Sequence, residues 1–425
     1  MKLSHLGQMF VAGWLFSGMA QAAEVSVAPG NGTLVAAVIA AADGDTLVLS
    51  DGTYLGNGDL VIDKSLTIRA INSAVASLIT GGTFTIDAAG SQVILQGVDF
   101  GVEVVVLAAS DVKVLEGSFL SGVDLNVTGY ATTEGDGTLM VIGNFFSPGS
   151  LITTINAYDA YIAGNTFEKG HLISNVPVWI VGNFIQGTNN TDVIHINTEG
   201  AVRVLANRVY LYVSHANGTI SADGLDVVAG AALIAGNIVE INSYTYQYYQ
   251  HRIRGIVASS STYAKVFNNN VDAGASFNAK AENNSYGILA YGEVSGNMVT
   301  NLGSGSYFRG IAGNGIEYNL CHNNHYGDCG TNPVTVDPLL VDRVDYQLGI
   351  GSPAIDAGST NPVFADLDRT RNDIGAHGGP WDIAQYDAQR DPLYFGPYVY
   401  PMFEANAGFV DGQLQIRAIG VARLR

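Results

Sequence analysis

Through much of the chain, apolar and polar residues alternate with a period of two, in short runs rich in Val and Ile. Such runs predict short strands with one face turned to a core. VRVLA (Val202–Ala206) is typical. The runs end on a recurring hexad: apolar, any residue, Gly, Asn, any residue, apolar. It reads VIGNFF (Val141–Phe146), IAGNTF (Ile162–Phe167), IVGNFI (Ile180–Ile185), IAGNIV (Ile234–Val239) and VSGNMV (Val294–Val299), with VLANRV (Val204–Val209) and VFNNNV (Val266–Val271) as degenerate copies. The Asn positions are 144, 165, 183, 207, 237, 269 and 297, separated by 21, 18, 24, 30, 32 and 28 residues. Periods of this size belong to solenoids. A leucine lattice is absent, and Gly and Asn interrupt too often for two-helix repeats. Coiled parallel strands remain, with coils stacked about 4.8 Å apart and equivalent apolar positions forming one core. Asn tolerates the left-handed backbone of a turn, and its amide can bond to the Asn one coil above. The neighbouring Gly allows the sharp bend.

Ahead of the repeats, residues 9–20 (MFVAGWLFSGMA) form an apolar run preceded by Lys2, and Ala20-Gln21-Ala22 fits a small-x-small cleavage site. This predicts a signal peptide over residues 1–23, cut near Ala22 or Ala23, with a buried helix as the alternative. No later stretch reaches the ~18 apolar residues of a membrane-spanning helix. The mature chain is therefore expected to be secreted or held at a cell surface. Hydrophobic residues make up 47% of the chain and charged residues 13%, which excludes a disordered, highly charged protein. With 38 acidic against 19 basic side chains the net charge is -19, which argues against broad binding to nucleic acid or anionic membranes. The two cysteines, Cys321 and Cys329, are too few for a disulfide framework. Outside the cytoplasm they could pair and close a short loop; the sequence leaves a reduced pair open.

The repeat chemistry resembles that of the right-handed parallel β-helix proteins, the pectate-lyase-like superfamily. APGNGTLVAAVIAAADGDTLVLSDGTYLGNGDLVIDKSLTIRA (Ala28–Ala70) is similar to the opening of such domains. Thr33 or Asn31 would cap a small helix, Leu34–Ala42, over the open end of the coil stack, with Asp45–Leu49, Asp59–Ile62 and Ser65–Arg69 as the first strands. SPAIDAGS (Ser352–Ser359) and DLDRTRNDIGAHGGP (Asp366–Pro380) resemble the choice-of-anchor segment that often closes bacterial surface β-helices. The expected organisation is an all-β chain: signal peptide 1–23, parallel β-helix 24–335, a small C-terminal cap 336–385, and a β-rich tail 386–425.

Candidate chemistry concentrates where coils are long, because extra residues must leave the stack as loops. The segment between Asn237 and Asn269 contains SYTYQYYQHRIRG (Ser243–Gly255). Tyr244, Tyr246 and Tyr248 could stack on sugar rings. Arg252 and Arg254 could hold carboxylates or sulfates, and His251 and Tyr249 could act as base or acid. The alternative is a tyrosine ladder over a sheet, with Arg paired to Glu240 or another carboxylate. His171, His195 and His215 lie 6, 12 and 8 residues after the preceding turn Asn, so no common line and no metal-ligand set is expected from them. Asp366, Asp368 and Asp373 alternate with Arg369 and Arg371. Ca2+ could sit among them, but a salt-linked cap over the last coil is the simpler account. Asn189, Asn190 and Asn268–Asn270 read as turn amides. CHNNHYGDC (Cys321–Cys329) reads as a disulfide-tied loop rather than a metal site on His322 and His325.

The resemblance implies acidic-polysaccharide chemistry. Lyases of the superfamily neutralise a uronate carboxylate with Ca2+ or a basic side chain, and a base then drives β-elimination. The chain lacks their Trp-Ile-Asp-His and Arg-x-Pro-x-x-Arg segments. Asn190–Asp192 and Arg252–Arg254 echo two polygalacturonase motifs, but the Asp-Asp pair and Gly-His-Gly turn between them are missing. Two readings follow: an extracellular β-helix that binds and cleaves acidic polysaccharide, as a lyase rather than a hydrolase, or a non-catalytic surface or matrix adhesin.

Overall fold

In the computed structural model the described residues are 22–390, apart from 57, 73–75, 109–110, 131–136, 155–158, 188–190, 215–219, 245–251, 261–263, 275–283, 304–307 and 325–328, together with backbone segments between 398 and 421. The repeats wind into a solenoid of stacked parallel strands with three faces. Sheet I holds the strands that precede each Gly-Asn bend, such as Thr138–Ile142, Ala201–Leu205 and Ala264–Phe267. Sheet II follows the bend, from Gly30–Asn31 to Leu320–His322. Sheet III completes each coil, with His171–Ser174, Ile194–Asn197, Ser221–Ala229 and Arg252–Ser260 among its members. In the last coils one strand turns the corner by itself: Tyr286–Ser295 pairs with Arg252–Ser260 at its start and with Ala264–Phe267 at its end.

The bend between sheets I and II is the spine. Asn144, Asn165, Asn183, Asn207, Asn237, Asn269, Asn297 and Asn319 form an unbroken ladder, each Nδ2 donating to the Oδ1 of the next at 2.9–3.0 Å. The same oxygen accepts the backbone N–H of the Asn below, as Asn207 Oδ1 does from Asn183 at 2.9 Å. Every buried amide in the column is thus satisfied, the last, Asn319, by the Val294 and Glu317 carbonyls. The residue before each Asn is left-handed, with φ between 62° and 69° at Gly143, Gly164, Gly182, Gly236 and Gly296. Ala206, Asn268 and Tyr318 take the same conformation at φ 51–53°. Asn319 extends the ladder one rung beyond the hexads, hidden in the sequence because Tyr318 replaces the Gly. Phe100, Phe119, Phe146 and Phe167 stack inside the coils, the last pair 4.4 Å apart and nearly parallel, and Phe84 meets Phe100 edge to face.

At the amino-terminal end the helix Thr33–Ala40 buries Leu34 and Val38 in the coil core. Its cap is neither Thr33 nor Asn31. Gly32 at φ 68° occupies the N-cap position and no side chain bonds there, because a left-handed backbone turns the chain into the helix without needing one.

The C-terminal block lies along the flank of the solenoid, not over the last coil. The second hexad position, taken above as any residue, is outward-facing and mostly apolar: Ile142, Ala163, Val181, Leu205, Ala235 and Phe267. Tyr346, Phe364, Trp381, Ile383 and Tyr386 belong to the same buried cluster. Polar groups fix the docking. Arg208 meets Asp345 at 3.1 Å and Asp387 at 2.5 Å, and Asn268 donates to the Asp373 carbonyl at 2.7 Å. Asp366, Asp368 and Asp373 form no ion pair with Arg369 or Arg371 among the described residues. Asp366 accepts the backbone N–H groups of Gly379 and Asp373, Asp368 caps Thr370, and Arg371 bonds the Gly358 carbonyl. Cys321 and Cys329 are joined as a disulfide beside the last sheet II strand. Beyond the block, Tyr398–Met402 pairs antiparallel with Arg417–Val421, and Phe409–Val410 with Gln413–Leu414.

Candidate functional site

The outer face of sheet III brings together the charged residues of four successive coils. Register sets the columns. Leu172, Ile194, Leu225, Ile256, Ile288 and Ile311 point inward in one column, and Ile173, His195, Asp226 and Val257 lie beside it on the other pleat. One glycine column, Gly224, Gly255, Gly287 and Gly310, lets the strands bend at this edge. A Cβ on Gly255 would meet Val271 at 2.4 Å and the Gly287 carbonyl at 2.6 Å. Just before each glycine stands an outward residue: Asp223, Arg254, Tyr286 and Arg309.

Arg254 clasps Asp223 with two N–H groups, the Nε bond at 2.7 Å. Asp223 is 1% exposed. Burial pushes its carboxyl up while the hydrogen bond and charge of Arg254 pull it back. Arg254 in turn loses hydration but is held charged by Asp223, with Asp226 and Asp192 adding to the field. One coil earlier, Asp192 accepts the Asp223 backbone N–H at 2.9 Å. His195 Nδ1 lies 3.1 Å from Asp226 and 3.6 Å from Asp192. One ligand atom from each of Asp192, His195 and Asp226 falls within 4.8 Å of the others. Burial and the nearby Asp223 and Asp226 charges raise the Asp192 carboxyl. On the upper side, Arg252 Nε donates to Ser221 at 2.7 Å, and Arg309 stacks over Tyr286 at 5.9 Å. On the lower side, His171 contacts the Asp192 carbonyl at 2.8 Å, and burial lowers its basicity. A groove of about 780 Å3 continues along the corner toward sheet I, lined by Asn175, Asn197, Thr198, Glu199, Val228 and Ser259 among others.

The arrangement has a chemical consequence. Asp192, Asp223 and Asp226 against Arg252 and Arg254 leave one negative charge. A divalent cation would turn it into one positive charge, ready for an anionic ligand. The Asp192 and Asp226 oxygens suit a hard ion such as Ca2+. The His195 nitrogen suits zinc or manganese, and beside Ca2+ it would stand as a neighbour rather than a ligand.

The sequence-based candidates are placed unevenly. Tyr246, Tyr248, Tyr249 and His251 lie outside the described residues, as do His215, His325, Asn189 and Asn190; Tyr244 ends a sheet II strand, its side chain undescribed. Arg252 and Arg254 stand on sheet III as described. The partner of Arg254 is Asp223, whereas Glu240 lies on sheet II and accepts from Asn242 at 2.7 Å. Of the three histidines only His195 joins a group that could hold a metal ion, and its companions there are the carboxylates Asp192 and Asp226. The unequal offsets of His171 and His195 agree with the register, in which His195 lies opposite Ile173 and the two histidines share no column; the offsets say nothing of the carboxylates that meet His195. The signal that could have found the site is the repeated outward residue before Gly-Leu or Gly-Ile at 223, 254, 286 and 309.

No protein-family profile and no curated protein matches the chain. The solved structures to which the chain is similar include two alginate lyases. One is the PL6 family alginate lyase AlyGC, at 12% identity over 77% of this chain and 55% of that one, with a TM-score of 0.32. The other is a PL6 alginate lyase solved with a trisaccharide, at 13% identity over 85% and 95%, with a TM-score of 0.36. The chain thus spans about half the length of the first. At these scores the likeness adds nothing to the architecture that the strand pairing already gives. Among the described residues no helix is long and apolar enough to cross a membrane.

Proposed function

We propose that the chain is an extracellular polysaccharide-binding protein that takes an acidic, uronate-type polymer along the outer face of sheet III. The observation that carries this reading is the convergence of Asp192, His195 and Asp226 beside the Asp223–Arg254 pair. Asp192 and Asp226 would hold a divalent cation, which would neutralise a uronate carboxylate there; Arg252 gives a second contact to an anionic group at the rim, and the adjoining groove takes the sugar hydroxyls. Cleavage is the finer part of the proposal. A base removes the proton beside the neutralised carboxylate, the bond to the leaving sugar oxygen breaks, a C=C bond forms, and the oxygen is protonated. His195, with Nδ1 3.1 Å from Asp226, is the candidate for that base. Residues 1–23 act as the export signal.

The test is retention on a panel of immobilised glycans with Ca2+, with Mn2+ and after chelation. Retention on polygalacturonate or alginate that falls after chelation, and in Asp192→Asn/Asp226→Asn, supports the reading. Equal retention under all conditions removes this site. New ultraviolet absorbance on incubation with the polymer supports cleavage. The second reading, a non-catalytic surface or matrix protein, is favoured by one observation: the most central guanidinium, that of Arg254, is already committed to Asp223.

A further inference from the structure

Two residues along the strands from His195 and Asp226, the outer face of sheet III changes character. Asn197, Val228 and Ser259 stand opposite one another on three successive coils. Asn175 follows Ser174, the partner of Ile196, one coil earlier. Together with Glu199 they line the groove at the corner toward sheet I. At about 3.3 Å per residue, Val228 lies roughly 7 Å along its strand from Asp226, a step comparable to one sugar unit. Asn175, Asn197, Glu199 and Ser259 are exposed, and among the described residues their side chains have no hydrogen bond or ion pair within the protein. Val228, 41% exposed, sits between the amides and the hydroxyl. The wall that carries Glu199 is fixed. Thr198 donates its backbone N–H to the Val228 carbonyl at 2.9 Å, its hydroxyl accepts the Gly200 N–H at 3.2 Å, and a Cβ on Gly230 would meet the Glu199 carbonyl at 1.9 Å. Among the described residues the lining holds that single carboxylate and no basic side chain. At the opposite end of the same strands stands Arg252, bonded to Ser221. A ligand lying along the strands therefore meets a guanidinium first, the Asp192–His195–Asp226 group next, and this groove last.

We propose that this groove is a subsite for a neutral sugar and rejects a uronate, so that the preferred ligand is a heteropolymer in which an acidic sugar is followed by an uncharged one. The inference rests on the sheet III reading for the acidic sugar and adds the identity of its neighbour. Glu199 discriminates in both directions. Its carboxylate accepts hydrogen bonds from sugar hydroxyls, and it repels a ligand carboxylate that no nearby cation offsets. The Asn175 and Asn197 amides and the Ser259 hydroxyl both donate and accept, which suits a ring bearing hydroxyls. The exposed methyls of Val228 give the apolar contact that a sugar's C–H face or ring methyl needs. A polymer of uronates alone satisfies the Asp192–His195–Asp226 group but brings its next carboxylate against Glu199. Specificity then comes from a repulsive element beside an attractive one.

Calorimetric titration of the chain in Ca2+ with two oligosaccharides of matched length tests it. One is an oligogalacturonate. The other is a rhamnogalacturonan backbone fragment, in which galacturonate alternates with a neutral 6-deoxyhexose. The two share the acidic sugar and differ in its neighbour. The expected result is at least about fivefold tighter binding of the alternating oligomer, a preference that shrinks as salt screens Glu199. Glu199→Gln, at an exposed side chain without partners, raises affinity for the oligogalacturonate at least about threefold and leaves the alternating oligomer nearly unchanged. Glu199→Lys raises it further. Equal affinity for the two oligomers, or the same oligogalacturonate affinity in the native chain and both Glu199 variants, overturns the inference, and binding that still falls after chelation then leaves the sheet III reading standing. A preserved preference that is indifferent to chelation overturns the cation site and leaves the inference. Binding of neither oligomer overturns both.

Discussion

Asparagine and aspartate populate two regions of this solenoid and behave oppositely in them. At the bend between sheets I and II, eight Asn side chains are buried; seven amides donate to the Asn of the next coil, and the last, Asn319, donates to the Val294 and Glu317 carbonyls. On the outer face of sheet III, Asp192, Asp223 and Asp226 crowd together with two arginines and a histidine, and the charges do not cancel. The first arrangement is complete in itself. The second improves when something positive arrives. The lesson is that residue type alone does not mark a site; the balance of partners around it does.

The contrast can be broken most severely at the ladder. Asn207→Ala removes the acceptor for both the side chain and the backbone N–H of Asn183 and the donors to Ile180 and Asn237. Two buried donors left empty, at about 1–3 kcal/mol each, predict a loss of about 4 kcal/mol in chemical denaturation. Asp223→Asn comes next, because it strands the buried Arg254 charge. The expected loss is about 3 kcal/mol, and Asp223→Leu/Arg254→Met should recover most of it. If the single change is harmless, the pair is not the anchor of sheet III.

A third effect separates the flank from the coils by pH. Burial and the Asp373 and Asp368 charges push the Asp366 carboxyl from its usual 3.8 up to about 6. The folded state then holds that proton more tightly than the unfolded state, so the contribution is greatest at low pH and is lost as pH rises from about 4 through 6. His377 acts in the same sense. Burial lowers it, but Asp382 and the Asp345 carbonyl raise it further, so its contribution is present below 6.5 and fades as pH climbs through the folded value. The flank should therefore melt at a higher temperature at pH 5 than at pH 7.5, and Asp366→Asn should flatten the difference. The smallest effect is the sharpest control. Asn197→Ala, on the exposed groove, should change stability by less than about 0.5 kcal/mol while weakening glycan retention.

The ladder was legible in the sequence because a stacked turn repeats both its residue type and its conformation. The hexads fixed seven of the eight Asn rungs, and the eighth escaped because Tyr318 adopts the backbone that Gly usually supplies. The flank was harder to place. The pair of apolar residues before each bend, as in Val141-Ile142 and Val204-Leu205, records one side chain for the core and one for an outer partner, yet only the core half was read. The candidate site was least legible. Asp192 and His195 belong to one coil, Asp192 just before the strand Ile194–Asn197, and Asp226 to the next, so their meeting depends on register across sheet III, which variable loops conceal. Arg252 and Arg254 stood out because basic residues are scarce, but that scarcity said nothing of the carboxylate opposite Arg254.

The claim that sheet III is an unfinished charge balance is tested most directly by calorimetric titration of Ca2+ and Mn2+ into the chelator-treated chain and into Asp192→Asn/Asp226→Asn. The account predicts saturable uptake of a single ion by the native chain and none by the variant. Absence of heat with either ion, or the same uptake in both proteins, would contradict it.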